Sequence, residues 1–292
     1  MPELPDVTVY VERAGERLTG QVLRRLRLLN PFVLRTAVPP IAEAEGRRAT
    51  GVERLGKRVV LALEGERWIV IHLMIAGRLR WLEKGEKAPA RIGLAAFEFD
   101  AGTLLFTEAG TQRRASLHCV GSREALAALD AGGIDLMTAS TEDFTARLRL
   151  ENHTLKRALT DPRLFSGIGN AYSDEILHRA RLSPVALTRT LPDADAARLH
   201  VAAREALAEW TERLRAESPG WPAKVTAFHP AMAVHGRYGQ PCPVCGSPVQ
   251  RIVHAANESN YCARCQTGGK LLADRALSRL LKASWPKSID DL

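Results

Sequence analysis

Four cysteines near the carboxyl end of the sequence constrain its fold more than any other feature. They form two pairs, Cys242-Pro-Val-Cys245 and Cys262-Ala-Arg-Cys265, with sixteen residues between the pairs. Each pair places two thiolates on one tight turn, and two such turns supply the four ligands of a tetrahedral zinc site. Because four sulfur ligands leave no open position, the pattern predicts one structural Zn²⁺ per chain. Four free thiols are the alternative.

The remaining cysteine and the amino terminus help to predict the cellular compartment of the protein. Cys119 stands apart from both pairs, and we expect it to be a small buried hydrophobic side chain rather than a catalytic thiol. No cationic stretch leads from Met1 into an apolar run, so the sequence predicts no secretory signal. The apolar residues between 59 and 75 are interrupted at 64–67 and fall short of the roughly 20 residues that span a bilayer. We therefore expect a cytoplasmic protein that does not enter a membrane.

Length and charge narrow the class of protein. A chain of 292 residues that is 46% hydrophobic has enough apolar material for a packed core, which excludes a disordered or fibrous protein. At roughly 150 residues per domain, this length suggests about two domains. The formal charge of +8 makes nucleic acid a reasonable partner, although charge alone is weak support for it.

The spacing of apolar residues changes along the chain. Val7, Val11, Ala14 and Leu18 lie on one face of a helix that ends at Gly20. Short β-rich runs then predict strands over 22–29, 59–63, 68–73, 79–82, 94–99 and 103–106, which is typical of a sandwich or barrel. Helical patterns follow residue 120. They include an amphipathic helix over 193–217 and a short helix over 270–282.

A glycine turn in the helical half is the second informative motif. Gly167-Ile-Gly-Asn170 allows close backbone approach, and Asn170 is well suited to open a helix whose amides face a phosphate. Lys156, fourteen residues earlier, would add a positive charge at the same phosphate. An ordinary helix start is the alternative.

Several segments together, in this order, resemble the formamidopyrimidine-DNA glycosylase/endonuclease VIII family. They are Met1-Pro-Glu-Leu-Pro5, Gly56-Lys57, Ile71-His-Leu73, Gly77, Thr154-Leu-Lys156, Gly167-Ile-Gly-Asn-Ala-Tyr172, Val234-His-Gly-Arg237, Gly239-Gln-Pro-Cys-Pro-Val-Cys-Gly246, Tyr261-Cys262 and Cys265-Gln266. The resemblance implies an α+β multidomain fold. An N-terminal helix with a β-sandwich would occupy residues 1–132, a helix–two-turns–helix domain 133–233 and a zinc-finger β-hairpin 234–270, followed by a C-terminal extension over 271–292.

The resemblance also implies base excision coupled to strand cleavage. Pro2 would become the terminus once Met1 is removed, and a free α-amino group with a pKa of about 8 is partly unprotonated at neutral pH. Its attack on C1′ would form an iminium that promotes elimination of the 3′ phosphate. Glu3 would protonate the sugar ring oxygen, and Lys57 would contact a phosphate and assist elimination. The alternative is that Pro2 and Glu3 only begin a helix and that Lys57 is a solvated turn residue.

Three segments depart from the family pattern. Where the family has His-Leu-Gly-Met-Ser-Gly, this chain has His72-Leu-Met-Ile-Ala-Gly77, so Ile75 or Met74 would fill the gap left by an everted nucleotide. The family segment Asp-Pro-Arg-Arg-Phe-Gly is replaced by a stretch in which only Arg113 or Arg114 supplies a cation toward the opposite base. In the finger, Asn257 stands where the family has a phosphate-binding arginine, and Lys270 is the candidate to compensate.

The sequence therefore predicts a bifunctional DNA glycosylase and AP lyase. We expect it to act on double-stranded damaged DNA as a monomer associated with the nucleoid. One alternative is a non-catalytic protein of the same fold that recognises lesions or DNA structure. Another is a zinc-stabilised module that binds other proteins.

Overall fold

The computed structural model describes residues 1–86, 91–110, 112–222, 225–226, 228–254, 257–273, 280 and 286–291. Contacts divide the chain into two compact units. The first unit comprises Met1–Ala131 with Trp210–Thr226, and the second comprises Gly132–Glu209 with Ala227–Leu292. The four-part division expected from the sequence stays a prediction, because these units do not separate the zinc finger from the helical segments.

The first unit begins with helix α1, Leu4–Leu18. The residues expected on its inner face, Val7, Ala14 and Leu18, are fully buried, and Val11 packs against the same core. Pro5 lies in the first turn, where its missing N–H costs no hydrogen bond. The predicted amino-terminal helix is therefore confirmed, and it places the first three residues of the chain at a helix start.

Eight strands of the first unit form two four-stranded antiparallel sheets. In the first sheet the order is β1 (Arg25–Leu28), β6 (Gly93–Glu98), β7 (Gly102–Glu108) and β5 (Gly77–Glu83). In the second it is β2 (Ala49–Leu55), β3 (Arg58–Leu63), β4 (Arg67–His72) and β8 (Ser116–Val120).

Alternation along the strands buries one face of each sheet in a shared core. Phe97 and Phe106 come from the first sheet, and Leu61, Ile71 and Cys119 come from the second. This arrangement confirms the predicted β-sandwich and the buried position of Cys119. The short helix α2, Arg123–Ala127, brings Leu126 against the outer face of the second sheet.

Residues 210–222 and 225–226 also belong to the first unit. The helix α6, Asp193–Glu217, ends there, as its amphipathic pattern and the following Ser218-Pro-Gly-Trp-Pro222 predict. The Trp221 indole N–H donates to the Leu79 carbonyl oxygen at 2.9 Å. Its ring centroid lies 6.0 Å from that of Tyr10 and 6.2 Å from that of Trp81. A connecting segment thus becomes part of the sandwich core.

The second unit is helical and ends in a zinc-finger hairpin. Its helices are α3 (Thr141–Leu148), α4 (Leu155–Thr160), α5 (Asn170–Arg179) and most of α6. Strands β9 (Gln250–His254) and β10 (Asn257–Tyr261) pair antiparallel and lead into α7, Ala263–Thr267. Within the described ranges, no helix has the length and apolar character needed to cross a bilayer.

The helix expected over 270–282 is not observed at its start. Residues 271–273 are not helical, and Lys270 forms an isolated antiparallel bridge with Ser288. Residues 274–279 and 281–282 lie outside the described residues. Backbone pairing with a later segment replaces the expected first helical turn.

Candidate active site and zinc centre

The amino terminus lies in a protected position at the start of α1. Pro2 is buried, and Glu3, the N-cap residue of the helix, is only 1% exposed. The Glu3 backbone N–H donates to Oδ2 of Asp6 at 2.8 Å. The terminal residues are therefore held by the helix start and by the sandwich that surrounds it.

Charged groups of the first unit converge on this terminus. Burial lowers the pKa of the Met1 amine, and the nearby cations Arg78 and Lys57 act in the same direction, against the opposing effect of Glu3. Burial likewise lowers the pKa of Lys57, and Glu3 opposes that shift too. The structure thus brings together Pro2, Glu3 and Lys57, the three residues that the sequence assigns to catalysis.

Arg78 is a member of this group that the sequence did not reveal. It is the second residue of β5, and its guanidinium donates to the carbonyl oxygens of Ile75 at 3.1 Å and Gly77 at 2.7 Å. In the sequence, Arg78 and Arg80 flank Leu79 and have the alternation typical of a solvent-exposed strand face. Its effect on the terminal amine depends on tertiary structure that this alternation does not reveal.

His72 ends β4 close to Lys57. Burial, together with the neighbouring cations Arg58 and Lys57 and with His118, lowers the pKa of His72 to about 4. The imidazole is therefore neutral at pH 7 and offers a hydrogen bond without a positive charge.

The predicted wedge lies on the tight turn that follows His72. The Gly77 N–H donates to the Leu73 carbonyl oxygen at 2.8 Å, and a Cβ on Gly77 would lie 2.2 Å from that oxygen, so only glycine fits there. Met74 has a φ of 51° and is half-buried, whereas Ile75 is 59% exposed. Of the two predicted wedge residues, Ile75 is the one that the turn presents to solvent.

The two arginines predicted to face the opposite base lie on the loop before β8. Both Arg113 and Arg114 are exposed. The buried carboxylate of Glu108 accepts the backbone N–H groups of Arg114 at 3.1 Å and Ala115 at 3.3 Å. The loop backbone is thus fixed by Glu108 and leaves both guanidinium groups at the surface.

In the second unit, the predicted phosphate contacts lie beside each other. Lys156 Nζ donates to the Asn170 carbonyl oxygen at 2.6 Å and to Oδ1 of Asp174 at 2.5 Å. Asn170 is the first residue of α5, as expected, but Gly169 is the N-cap residue. The Asn170 side chain donates instead to the Glu258 carbonyl oxygen at 2.9 Å, which connects α5 to the finger hairpin.

Two acidic residues of α5 hold the segment that enters the finger. Asp174 Oδ2 lies 2.7 Å from Nδ1 of His235, so Asp174 contacts both this imidazole and Lys156. The Glu175 carboxylate accepts the backbone N–H groups of Ala233, Val234 and His235 at 2.7 to 3.0 Å. Sequence reasoning missed this network, because its only trace in the sequence is two adjacent acidic residues after a helix start.

The four cysteines of the finger meet as predicted. Their sulfur atoms all lie within 4.8 Å of one another. The Sγ atoms of Cys245 and Cys262 are 3.3 Å apart, and those of Cys242 and Cys265 are 3.9 Å apart. A tetrahedral site with Zn–S bonds near 2.3 Å requires sulfur atoms about 3.8 Å apart. The residues therefore fit a structural Zn²⁺, which confirms the predicted metal site.

The surroundings act differently on the sulfurs, since burial raises the pKa of Cys262 to about 11 whereas hydrogen bonds favour the thiolate at Cys245. Burial works against a thiolate at Cys245, but hydrogen bonds from the backbone and side chain of Ser247 and from neighbouring thiols lower the pKa of Cys245 to about 6. His178 Nε2 lies 3.3 Å from the Cys242 sulfur. A thiolate is the form that binds zinc, and hydrogen-bonded ligands of this kind orient metal sites.

Two residues of the finger segment bear on its departure from the family pattern, and both are exposed. Asn257 stands where the family has an arginine, and Lys270 is the residue expected to compensate for it. Asn257 begins β10 and pairs with His254 at the end of the hairpin. The Lys270 side chain is at the surface, after a turn in which Gly268 and Gly269 both have positive φ.

Three family models match successive parts of the chain. The N-terminal domain model of formamidopyrimidine-DNA glycosylase matches residues 1–115, its H2TH domain model matches 135–216, and the zinc finger found in FPG and IleRS matches 239–268. A formamidopyrimidine-DNA glycosylase of Thermus thermophilus is 38% identical over 278 residues, covering 92% of this chain and 100% of that protein.

Solved structures agree with these matches. The crystal structure of the MutM (Fpg) protein from Thermus thermophilus superposes with a TM-score of 0.76 at 35% identity, covering 91% of this chain and 98% of that one. The Lactococcus lactis enzyme in complex with Fapy-dG-containing DNA, at 22% identity and a TM-score of 0.81, shares the fold over 91% of this chain and 100% of that one. The resemblance and fold class inferred from the sequence are confirmed, and this chain belongs to the formamidopyrimidine-DNA glycosylase family.

Proposed function

We propose that this protein is a bifunctional DNA glycosylase and AP lyase of base excision repair, with the amine of Pro2 as nucleophile once Met1 is removed. The observation that carries the proposal is the convergence of Glu3, Lys57 and Arg78 on the buried amino terminus. A helix start needs no such group of one carboxylate and two cations. A reaction that begins with an unprotonated amine and ends with a departing phosphate uses all of them.

The first chemical step uses the electrostatics of this group. Burial lowers the pKa of the Met1 amine, Glu3 opposes this shift, and Arg78 and Lys57 add to it. Pro2 is the next residue and is itself buried, so in this proposal its amine has similar surroundings once Met1 is removed. The amine lone pair then forms a bond to C1′ of the damaged nucleotide. The bond from C1′ to the base breaks, and the base leaves with that electron pair and takes up a proton from solvent. The proton on the Pro2 nitrogen passes to the Glu3 carboxylate, so that the nitrogen regains its lone pair.

Opening of the sugar ring and elimination of the 3′ phosphate then follow on the same sugar. Glu3 donates a proton to the sugar ring oxygen as the bond from C1′ to that oxygen breaks, which leaves a cationic iminium at C1′. Loss of a proton from C2′ supplies the electron pair for a new C2′–C3′ double bond. The 3′ oxygen then leaves with its phosphate, and Lys57 stabilises the negative charge of this leaving group.

Several residues outside the amino terminus would position the DNA. In this proposal, Lys156, Asn170 and Lys270 contact phosphates, and Arg113 or Arg114 faces the base opposite the lesion. Ile75, which is exposed, or Met74 beside it fills the gap in the base stack. When bound, Zn²⁺ supplies structural stability to the finger and takes no part in the reaction.

The same proposal includes the substrate, the oligomeric state and the cellular location of the protein. The substrate is double-stranded DNA carrying a damaged base or an abasic site, and the protein works as a monomer, in the cytoplasm and near the nucleoid. Sedimentation analysis of the free protein, and of its complex with a duplex, tests the monomer directly.

Cleavage of a panel of oligonucleotides tests the function. Duplexes carrying 8-oxoguanine, a formamidopyrimidine, an oxidised pyrimidine or an abasic site are incubated with the protein, with and without borohydride. We expect strand cleavage and a trapped covalent complex on at least the abasic duplex. We expect Glu3→Gln to lower strand cleavage by about a hundredfold or more, because ring opening, which precedes elimination, loses its general acid. Glu16→Gln, at an exposed position of the same helix, should leave it unchanged.

The two alternatives give different results in the same experiment. Binding that weakens with salt but gives neither cleavage nor trapping would support the non-catalytic lesion-binding protein. The absence of DNA binding even at low salt would support the zinc-stabilised protein-binding module instead.

A further inference from the structure

The chain returns to its zinc finger after the end of the family match. The finger model ends at residue 268, whereas residues 286–291 lie against the finger. The Ile289 N–H donates to the Gly269 carbonyl oxygen at 2.8 Å, and the Leu271 N–H donates to the Lys287 carbonyl oxygen at 2.9 Å. Together with the bridge between Lys270 and Ser288, these bonds form a short antiparallel pairing.

Apolar contact accompanies this pairing. Ile289 is 7% exposed and packs with Ile252 of β9, Tyr261 of β10 and Leu271. The same cluster includes Ala263, the residue directly after the ligand Cys262. A side chain from outside the finger therefore completes a small core that adjoins the second cysteine pair through Ala263, whereas Cys262 itself packs with Val234 and Val249.

Charged groups accompany the contact. The Asp290 carboxylate pairs with Arg264, which lies between Cys262 and Cys265. The Asp291 carboxylate accepts the backbone N–H groups of Lys287 at 3.1 Å and Ser288 at 2.8 Å, so the segment fixes its own turn. The contacts thus reach the backbone that carries two of the four metal ligands.

The second cysteine pair needs support from outside itself. It lies at the start of α7, which has only five residues, and a helix that short is unstable alone in water. On one side, the Gln266 side chain donates to the Leu182 carbonyl oxygen at 2.9 Å and accepts the Cys262 N–H at 2.8 Å. Residues 286–291 supply further support.

We propose that residues 286–291 are a clamp that holds the Cys262–Cys265 pair in its metal-binding geometry and so slows the loss of Zn²⁺ from the finger. Ile289 is the main positioning residue of the clamp, and the exposed pair of Asp290 with Arg264 adds little to it. Release of zinc requires the sulfurs to move apart, and the clamp opposes that movement at one of the two pairs. The clamp would act whether or not the protein cleaves DNA.

The rate of zinc transfer to a chelating dye tests this proposal on the zinc-loaded full chain. We expect Ile289→Asp to release zinc at least about tenfold faster than the unaltered chain, since about 1.4 kcal/mol of lost packing gives that factor. Leu280→Asp is the matched control, because it places the same charge at an apolar residue that is 78% exposed in the same extension. Its release rate should be within about twofold of the unaltered chain.

A second variant covers the case in which Ile289→Asp does not fold. A chain that ends at residue 285 lacks the clamp and puts no charge into the core, and it should release zinc faster by a similar factor. Equal release rates in the unaltered chain and in whichever of the two variants folds would overturn the proposal. Because the experiment measures only the rate of zinc release, its result does not depend on whether the protein cleaves DNA.

Discussion

Asp6 has the most perturbed carboxyl group at the amino terminus. It is 4% exposed, and burial raises its pKa to about 7, although the Glu3 N–H bond acts in the other direction. The folded state therefore binds a proton more tightly than the unfolded chain, in which the pKa is near 3.8. The stabilisation that protonated Asp6 gives the folded state is fully present below pH 3.8. It is lost as the pH rises toward about 7.

Replacing Asp6 with asparagine should remove this loss. We expect Asp6→Asn to be more stable than the unaltered protein at pH 8, on the order of 3 kcal/mol, and close to it at pH 4, because asparagine keeps the acceptor without the charge. Urea unfolding monitored by tryptophan fluorescence measures this, since four of the five tryptophans belong to the first unit. Equal stabilisation at both pH values would contradict the assigned ionisation.

Lys156 is bound internally as well as being a candidate DNA contact. Its ammonium group lies between the Asn170 carbonyl oxygen and the Asp174 carboxylate, and the Asp174 side chain is fully buried. Removing a cation from such a pair leaves a buried charge poorly compensated. The sequence predicted only the contact with phosphate, because the partner Asp174 is brought to Lys156 by the packing of α4 against α5.

Lys156→Ala should therefore destabilise the fold as well as weaken DNA binding. We expect a loss of about 3 kcal/mol in the free energy of unfolding, whereas Arg157→Ala, at the exposed neighbouring position, should change it by less than about 0.5 kcal/mol. Chemical denaturation of the two variants makes the comparison. If Lys156→Ala proved as harmless as Arg157→Ala, the ion pair with Asp174 would have no structural role.

Among the elements, the segment after α6 shows how a connection becomes part of a core. Trp221 is partly buried, packs near Tyr10 and Trp81, and donates its indole N–H to the Leu79 carbonyl oxygen. In the sequence, the Gly and Pro residues around Trp221 predict the end of a helix. They do not predict which residues the tryptophan packs against.

Truncating this tryptophan should cost more than removing its hydrogen bond. We expect Trp221→Ala to lower the free energy of unfolding by about 3 kcal/mol and Trp221→Phe by about 1 kcal/mol, because phenylalanine keeps most of the packing. Guanidinium denaturation followed by circular dichroism provides both values. Equal losses in the two variants would mean that the hydrogen bond, rather than the packing, holds the segment.

How far the sequence predicts the elements depends on the strength of their patterns. The helices α1 and α6 and most strands follow apolar periodicity, and the prediction finds them. The strands β2 and β8 were missed. β2 has only three apolar residues, and it is an edge strand with one hydrogen-bonded neighbour. β8 pairs with β4, which is distant in sequence, so its position depends on a long-range contact.

The residues of the candidate site also fall into those that the sequence identifies and those that it does not. Pro2, Glu3, Lys57 and the four cysteines belong to contiguous motifs, so the sequence identifies them. Arg78 and the network of Asp174 with His235 depend on side chains that are brought together only by tertiary packing. Linear spacing contains no information about such contacts.

For the whole molecule, net charge is a poor guide to where DNA binds. Many of the arginines are paired with carboxylates, for example Arg24 with Asp100, Arg27 with Glu98 and Arg67 with Glu43. Such pairs neutralise much of the local field, and exposed ones add little stability. The cations that matter for the proposed chemistry are the few at the amino terminus and at the predicted phosphate contacts.

Pro2 is the nucleophile in the proposed reaction, and the site of a trapped adduct tests this role most directly. The protein is reduced with borohydride in the presence of abasic-site DNA, digested, and mapped by mass spectrometry. We expect that Met1 is absent, that the sugar fragment is attached to the amine of Pro2, and that Pro2→Gly lowers the yield of the adduct. An adduct on Lys57 or another lysine, with an unmodified terminus, would contradict the assignment of Pro2.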